Sequence, residues 1–148
     1  MAAKPRALNS NEFRRLAWFH YQLRRFLRLS EKAARASGVT PQQHQLLLGI
    51  RGYTRPGWVT ISELAEFLQE RHNAVVGLVE RAVRRGLVRK GQGLPDRRFV
   101  RVRLTARGGT ILTRLTKLHR GELARIRARI LDATRIPPKT TMTSMGKK

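Results

Sequence analysis

The chain has 148 residues, with 32 Lys and Arg against 9 Asp and Glu, for a formal net charge of +23. That length makes one domain or one subunit of a small oligomer, and a hydrophobic share of 41% is enough for a core and argues against wholesale disorder. The absence of cysteine excludes a disulfide scaffold, a Cys-ligated zinc or iron–sulfur centre, and any thiol nucleophile or redox sensor.

The opening residues MAAKPRALNS lack the apolar stretch of a signal peptide. The longest apolar run, Ala74 to Val79 counted through Gly77, is far too short to span a bilayer. A cytoplasmic, nucleoid-associated protein without a membrane role is expected. The charge is spread along the chain: residues 1–50 carry 9 basic and 2 acidic side chains, residues 51–107 carry 13 and 5, and residues 108–148 carry 10 and 2. Such an excess suits a polyanionic partner. The plain alternative is a compositional bias towards Arg, which still attracts nucleic acid without sequence preference.

In chain order, residues 11–36 predict a long helix. Phe13, Leu16/Ala17, His20, Leu23 and Leu27 recur at helical spacing, and Trp18, Phe19, Tyr21, Phe26 and Leu29 widen the apolar arc. A helix apolar over more than half its circumference packs on two sides, and the second side suits another subunit. Thr40-Pro41 opens a second helix to about Arg51, with Thr40 and Gln43 spaced as a capping box. After the turn-rich stretch around Gly52–Gly57, Trp58-Val59-Thr60 predicts a short strand. Thr60 and Glu63 then form a second capping box, opening the helix ISELAEFLQ. A polar corner, Glu70 to Asn73, leads into AVVGLVERAVRR, with Asn73 expected as N-cap and Gly86 as the stop. Val75, Leu78, Val79, Ala82 and Val83 form its buried stripe.

Residues 87–90 and 99–104 predict two strands, the second alternating Val100, Val102 and Leu104 against Arg101 and Arg103. The loop GQGLPDRR between them is tipped with charge. Thr105 starts a last helical region with an expected break or kink at Gly121, ended by Pro137-Pro138 before a loose tail. The fold class is therefore mainly α with a small β-hairpin wing, a winged helix-turn-helix flanked by N- and C-terminal helices. The division is 1–10 flexible N-terminus, 11–51 N-terminal helices, 52–105 winged helix-turn-helix lobe, 106–134 C-terminal dimerisation helices and 135–148 basic tail.

A recognition helix needs one buried side and polar or small residues near its N-terminus. Arg71, His72 and Asn73 occupy that end, with Val76 and Gly77 a turn further and Arg81 and Arg84 on the same exposed side. Asn reads adenine, Arg or His reads guanine or holds phosphate, and Val contacts a thymine methyl. At the wing tip, Arg97 and Arg98 suit the minor groove and Asp96 would orient one of them. The plainer readings are a helical hairpin and a solvated turn.

The runs ISELAEFLQ, AVVGLVERAVRRGLVRK and PDRRFVRVRLTARG resemble the MarR family of winged-helix transcriptional regulators. The signature is LAE, RRGLV, DRR and RLT-x-x-G, within a resemblance covering roughly residues 10–133. It implies a homodimer on double-stranded DNA, reading a pseudo-palindromic operator, with frequent relief by a small anionic aromatic ligand. By position, the recognition residues lie between Arg71 and Gly77 and the wing residues are Asp96, Arg97 and Arg98. Ala74, Val76 and Gly77 stand where many members carry Thr, Ser or Arg. The family's effector pocket points to Trp18, Tyr21, His44 and Arg14 or Arg15, although aromatic residues on such a helix more commonly fill a core or interface. No cofactor or metal is expected, since His20, His44, His72 and His119 show no i, i+3 or i, i+4 pair. No P-loop, G-x-S-x-G or H-E-x-x-H motif suggests an enzyme. The rival functions are a low-specificity, chromosome-organising architectural protein with the same fold, and a basic RNA-associated protein.

Overall fold

The computed structural model describes residues 6–55, 57–92 and 99–131. Its elements are α1 (Ser10–Ala36), α2 (Pro41–Gly52), β1 (Val59–Thr60), α3 (Ile61–Leu68), α4 (His72–Arg84), β2 (Val88–Gln92), β3 (Val100–Leu104) and α5 (Ala106–Leu131). They form two compact units. One comprises residues up to Leu29 together with those from Arg120 on, and the other runs from Ser30 to His119.

Local chemistry sets the helix starts. Thr40 Oγ1 accepts the Gln43 N–H at 3.1 Å, and Gln43 Oε1 accepts the Thr40 N–H at 3.0 Å, so both expected reciprocal bonds open α2. Thr60 and Glu63 repeat the device for α3 at 3.2 and 2.8 Å. Asn9 and Glu12 make the same exchange at α1, at 3.1 and 2.8 Å. Helix α3 ends on Gln69 in the left-handed region (φ 54°), with the Glu70 N–H bonded to Ala65 O at 3.0 Å.

That tight stop brings α4 in earlier than the sequence suggested. Arg71 is its N-cap, without a side-chain cap bond, and the Val75 N–H bonds to Arg71 O at 3.1 Å. Asn73 is therefore a second-position helical residue and not the cap, and its amide side chain is exposed. Gly86 (φ 68°) ends α4 as expected, with the Leu87 N–H bonded to Ala82 O at 3.0 Å.

The antiparallel sheet has the order β1-β3-β2. Val59 faces Val102, and Val88 and Lys90 face Leu104 and Val102. Its inner side joins one core: Leu46, Leu47 and Ile50 of α2, Leu64 of α3, Val75, Val79 and Ala82 of α4, and Leu112 and Leu115 of α5 cluster with Val59, Val88 and Val102. Helix α5 runs unbroken through Gly121, so the expected break is absent. A glycine inside a helix costs about 1 kcal/mol, a local penalty the flanking turns absorb.

In the other unit, Trp18 and Tyr21 stack with ring centroids 5.5 Å apart. Phe13, Leu16, Phe19, Leu23 and Leu27 remain exposed along α1.

Two adjacent glycines of α5 test the packing. A Cβ on Gly108 would lie 2.0 Å from Leu87 O, whereas one on Gly109 would meet nothing within 4 Å. Gly108→Ala should destabilise the protein by roughly 1–3 kcal/mol. Gly109→Ala should be neutral or stabilising by up to about 1 kcal/mol through helix propensity. Urea midpoints of the two variants check this, and equal effects would contradict it.

Candidate nucleic-acid interface

Helix α4 buries Val75, Leu78, Val79 and Ala82, and this stripe dictates what it shows to solvent. Arg71, His72, Asn73, Ala74, Val76, Arg81 and Arg84 are exposed and Gly77 is half-buried. The sequence-predicted recognition residues thus share one continuous surface.

That surface is a ridge between two grooves. On one flank, a cleft of about 200 Å³ is lined by Thr60, Ile61 and Ser62 at the α3 start, His72, Val76, Val79 and Glu80 of α4, Lys90 of β2, Val100 of β3 and Phe99 just before it. On the other, a second cleft of about 200 Å³ is lined by Gln42 of α2, Glu70, and Asn73, Ala74, Val75, Gly77, Leu78 and Arg81 of α4. His72 and Val76 therefore serve one flank, and Asn73, Gly77 and Arg81 the other. An exposed helix face flanked by two clefts, with polar residues at its N-terminal end, suits a major groove.

Glycine 77 has a specific use. A Cβ there would come within 3.2 Å of an Arg81 guanidinium nitrogen, so the missing side chain gives Arg81 room to lie back along the helix. The helix is also tied to the hairpin, because Lys90 Nζ donates to Glu80 Oε1. Sequence reading missed Lys90, Phe99 and Glu80 at this site. The i, i+10 relation of Glu80 and Lys90 acquires meaning only once the β2 register is known. The wing residues Asp96, Arg97 and Arg98 lie outside the described residues.

The residues expected at an effector pocket fall in both units. Trp18 and Tyr21 come together on α1, where Arg15 is exposed. Beside them Gln22 is buried, with neither amide atom hydrogen-bonded, a cost that only a polar partner would relieve. Composition gave no hint of it. His44 belongs to the 30–119 unit, where its ring lies 5.2 Å from that of His119, whose Nδ1 sits 2.6 Å from Leu115 O. These two histidines, 75 positions apart in sequence, carry no periodic signal that joins them. Among the described residues no three His, Asp or Glu side chains are grouped to hold a metal. No helix among them is long and apolar enough to cross a membrane.

A MarR family model matches residues 37–98. Among solved structures, M. tuberculosis transcriptional regulator MosR in complex with DNA is 31% identical, with a TM-score of 0.57, 74% of this chain and 77% of that chain being covered. A Cys-to-Ser mutant of MarR from E. coli complexed with operator DNA is 25% identical, with a TM-score of 0.61 and coverages of 72% and 74%. AbsC, a MarR family transcriptional regulator from Streptomyces coelicolor, shares the fold over 95% of this chain and 90% of its own, at 20% identity and a TM-score of 0.68. Among curated proteins, no sequence matches significantly. With the LAE, RRGLV and RLT-x-x-G motifs now seated on α3, on α4 with the start of β2, and on β3 with α5, the class is a winged-helix protein. The chain belongs to the MarR family of transcriptional regulators.

Burial makes His44 a reporter of the folded state. Its pKa is pushed down from 6.5 to about 4, first by burial and second by repulsion from His119. An unfolded chain takes up the proton near 6.5 and the folded one only near 4. Protonation in that window therefore favours unfolding, and stability falls as pH drops from 6.5 towards 4. The contribution is on the order of 3 kcal/mol. Replacing His44 with Gln should flatten the fall in urea midpoint across this window, and parallel curves for both proteins would contradict the assignment.

Proposed function

We propose that the protein is a sequence-specific, double-stranded-DNA-binding transcriptional regulator that acts as a homodimer on a pseudo-palindromic operator, as a nucleoid-associated protein of the cytoplasm. The observation that carries this reading is the α4 ridge, with its exposed His72, Asn73 and Val76 between two clefts and Arg71, Arg81 and Arg84 around it. DNA in the MosR and MarR complexes supports the same partner here. Asn73 reads base edges, with His72 and Val76 beside it, while the arginines hold phosphates. Arg97 and Arg98, with Asp96 orienting one of them, take the flanking minor groove. The role is one of binding, without catalysis.

The dimer reading has its own support. Phe13, Leu16, His20, Leu23 and Leu27 follow one another at alternating spacings of three and four, the period of a helix–helix seam. Phe13, Leu16, Leu23 and Leu27 are 39–61% exposed in the single chain. An apolar stripe of that length marks a protein contact. Relief by a small anionic aromatic ligand completes the reading, supported within the first unit by the Trp18–Tyr21 stack, the exposed Arg15 and the unbonded amide of Gln22.

Asn73→Ala should lower the ratio of affinities for operator over random duplex by roughly tenfold or more, in line with about 1–3 kcal/mol for a bidentate base contact. It should leave random-DNA affinity nearly intact. An unchanged ratio in anisotropy titrations would show that Asn73 reads no base. Leu23→Arg should convert the dimer to a folded monomer in light scattering with its circular dichroism preserved, and an unaltered mass would place the interface elsewhere. A low-specificity architectural role predicts instead equal affinities for unrelated duplexes.

A further inference from the structure

Strand alternation gives the hairpin sheet a second face. Val88, Val102 and Leu104 point into the core. Their neighbours Arg89, Arg101 and Arg103 therefore project from the opposite side, together with Trp58. On that side Arg89 and Arg103 are direct cross-strand partners, and Arg101 lies opposite Thr60 in β1 and Gly91 in β2. Like charges directly opposite one another destabilise a sheet, so folding alone gives no reason for the Arg89–Arg103 pair.

The aromatic residue at the edge of this face is already occupied. Arg55 Cζ lies 4.2 Å and Arg101 Cζ 4.1 Å from the Trp58 ring centroid. Both guanidinium groups therefore lie against the indole. Arg55 is further held by Glu63, which accepts two of its N–H groups at 2.9 and 2.5 Å. Glu63 is also the capping carboxylate of α3, so this end of the cationic face is anchored to the helix-turn-helix itself. With two cations already against it, Trp58 is not an open stacking platform. The surface is built for phosphate and not for single-stranded bases.

We propose that this outer sheet face, through Arg89, Arg103 and the stacked Arg101, binds the phosphate backbone of duplex DNA flanking the segment that α4 engages. The face is continuous with the α4 interface. Thr60 lines the groove beside α4 and is the direct cross-strand partner of Arg101, so the two surfaces meet at the β1 edge of the sheet. The inference rests on the duplex-binding reading above and extends its footprint outward.

The test uses the full chain and the double variant R89Q/R103Q, which leaves the Arg55–Trp58–Arg101 stack and the α4 surface alone. Removal of the like-charged pair should keep or raise thermal stability. The probes are two duplexes sharing one centre, the segment the protein protects upstream of its own gene. One is about 20 base pairs long, enough for two half-sites a helical turn apart, and the other carries about 10 more on each side. The variant should bind the long duplex roughly tenfold more weakly than wild type, and the slope of log affinity against log salt should shrink by about 2. Binding to the short duplex should be unchanged. Equal losses on both lengths, or no loss on either, would overturn the proposal while leaving the α4 reading intact. Capture of two separate duplexes by wild type but not by the variant would overturn the flanking assignment in favour of bridging. Failure of wild type to bind either duplex would remove the duplex-binding reading and this inference with it.

Discussion

The backbone carbonyl of Leu87 is the point on which the 30–119 unit turns. It accepts the Thr105 N–H at 3.1 Å and lies so near α5 that only glycine fits at position 108. The Thr105 hydroxyl bonds to the preceding carbonyl, Gly86 O, at 2.6 Å, with Leu87 O as its more distant acceptor at 3.1 Å. The Leu87 N–H is itself bonded to Ala82 O, which closes the end of α4. One residue thus joins the end of the recognition helix, the first strand of the wing, the exit from its last strand and the start of α5. Thr105 also accepts the Gly108 N–H at 3.0 Å, so the same threonine caps α5 and fastens it to the Gly86–Leu87 turn between α4 and β2. The angle between α4 and the hairpin follows from these contacts, with the Glu80–Lys90 pair as a second tie between the two elements.

On that frame the net charge of +23 is distributed with a clear division of labour. The α4 ridge has few side chains able to read a base: Ala74, Val76 and Gly77 offer no hydrogen bonds, which leaves Asn73, His72 and Arg71. Cations surround the ridge more than they occupy it. A protein so arranged takes most of its affinity from phosphates and its discrimination from a few contacts and from DNA shape. The cross-strand pair Arg89–Arg103 fits the same economy, since like charges set opposite one another favour an anion between them.

Much of this was legible in the residues because the relevant signals are local. The Thr40/Gln43 and Thr60/Glu63 capping boxes, the Gly86 stop and the Val/Arg alternation of β3 each depend on neighbours within a few positions, and each is found as expected. Where the reading failed, a non-local or competing effect decided. Asn73 has the chemistry of an N-cap, but the left-handed close of α3 at Gln69 starts α4 two residues earlier. Gly121 has the chemistry of a break, yet a single glycine is too weak to stop a helix of 26 residues. The His44–His119 contact, the buried amide of Gln22 and the two guanidinium contacts on Trp58 arise from packing between distant segments, and no periodicity encodes them.

The most direct test of this account is a salt series of anisotropy titrations, with DNA from upstream of the protein's own gene set against a shuffled duplex of equal length. An operator-reading dimer predicts a gap of roughly a hundredfold or more that persists at physiological salt, on top of a steep salt dependence common to both duplexes. Two curves that coincide and weaken together as salt rises would contradict it, and would leave the α4 ridge as a general DNA-binding surface without an operator.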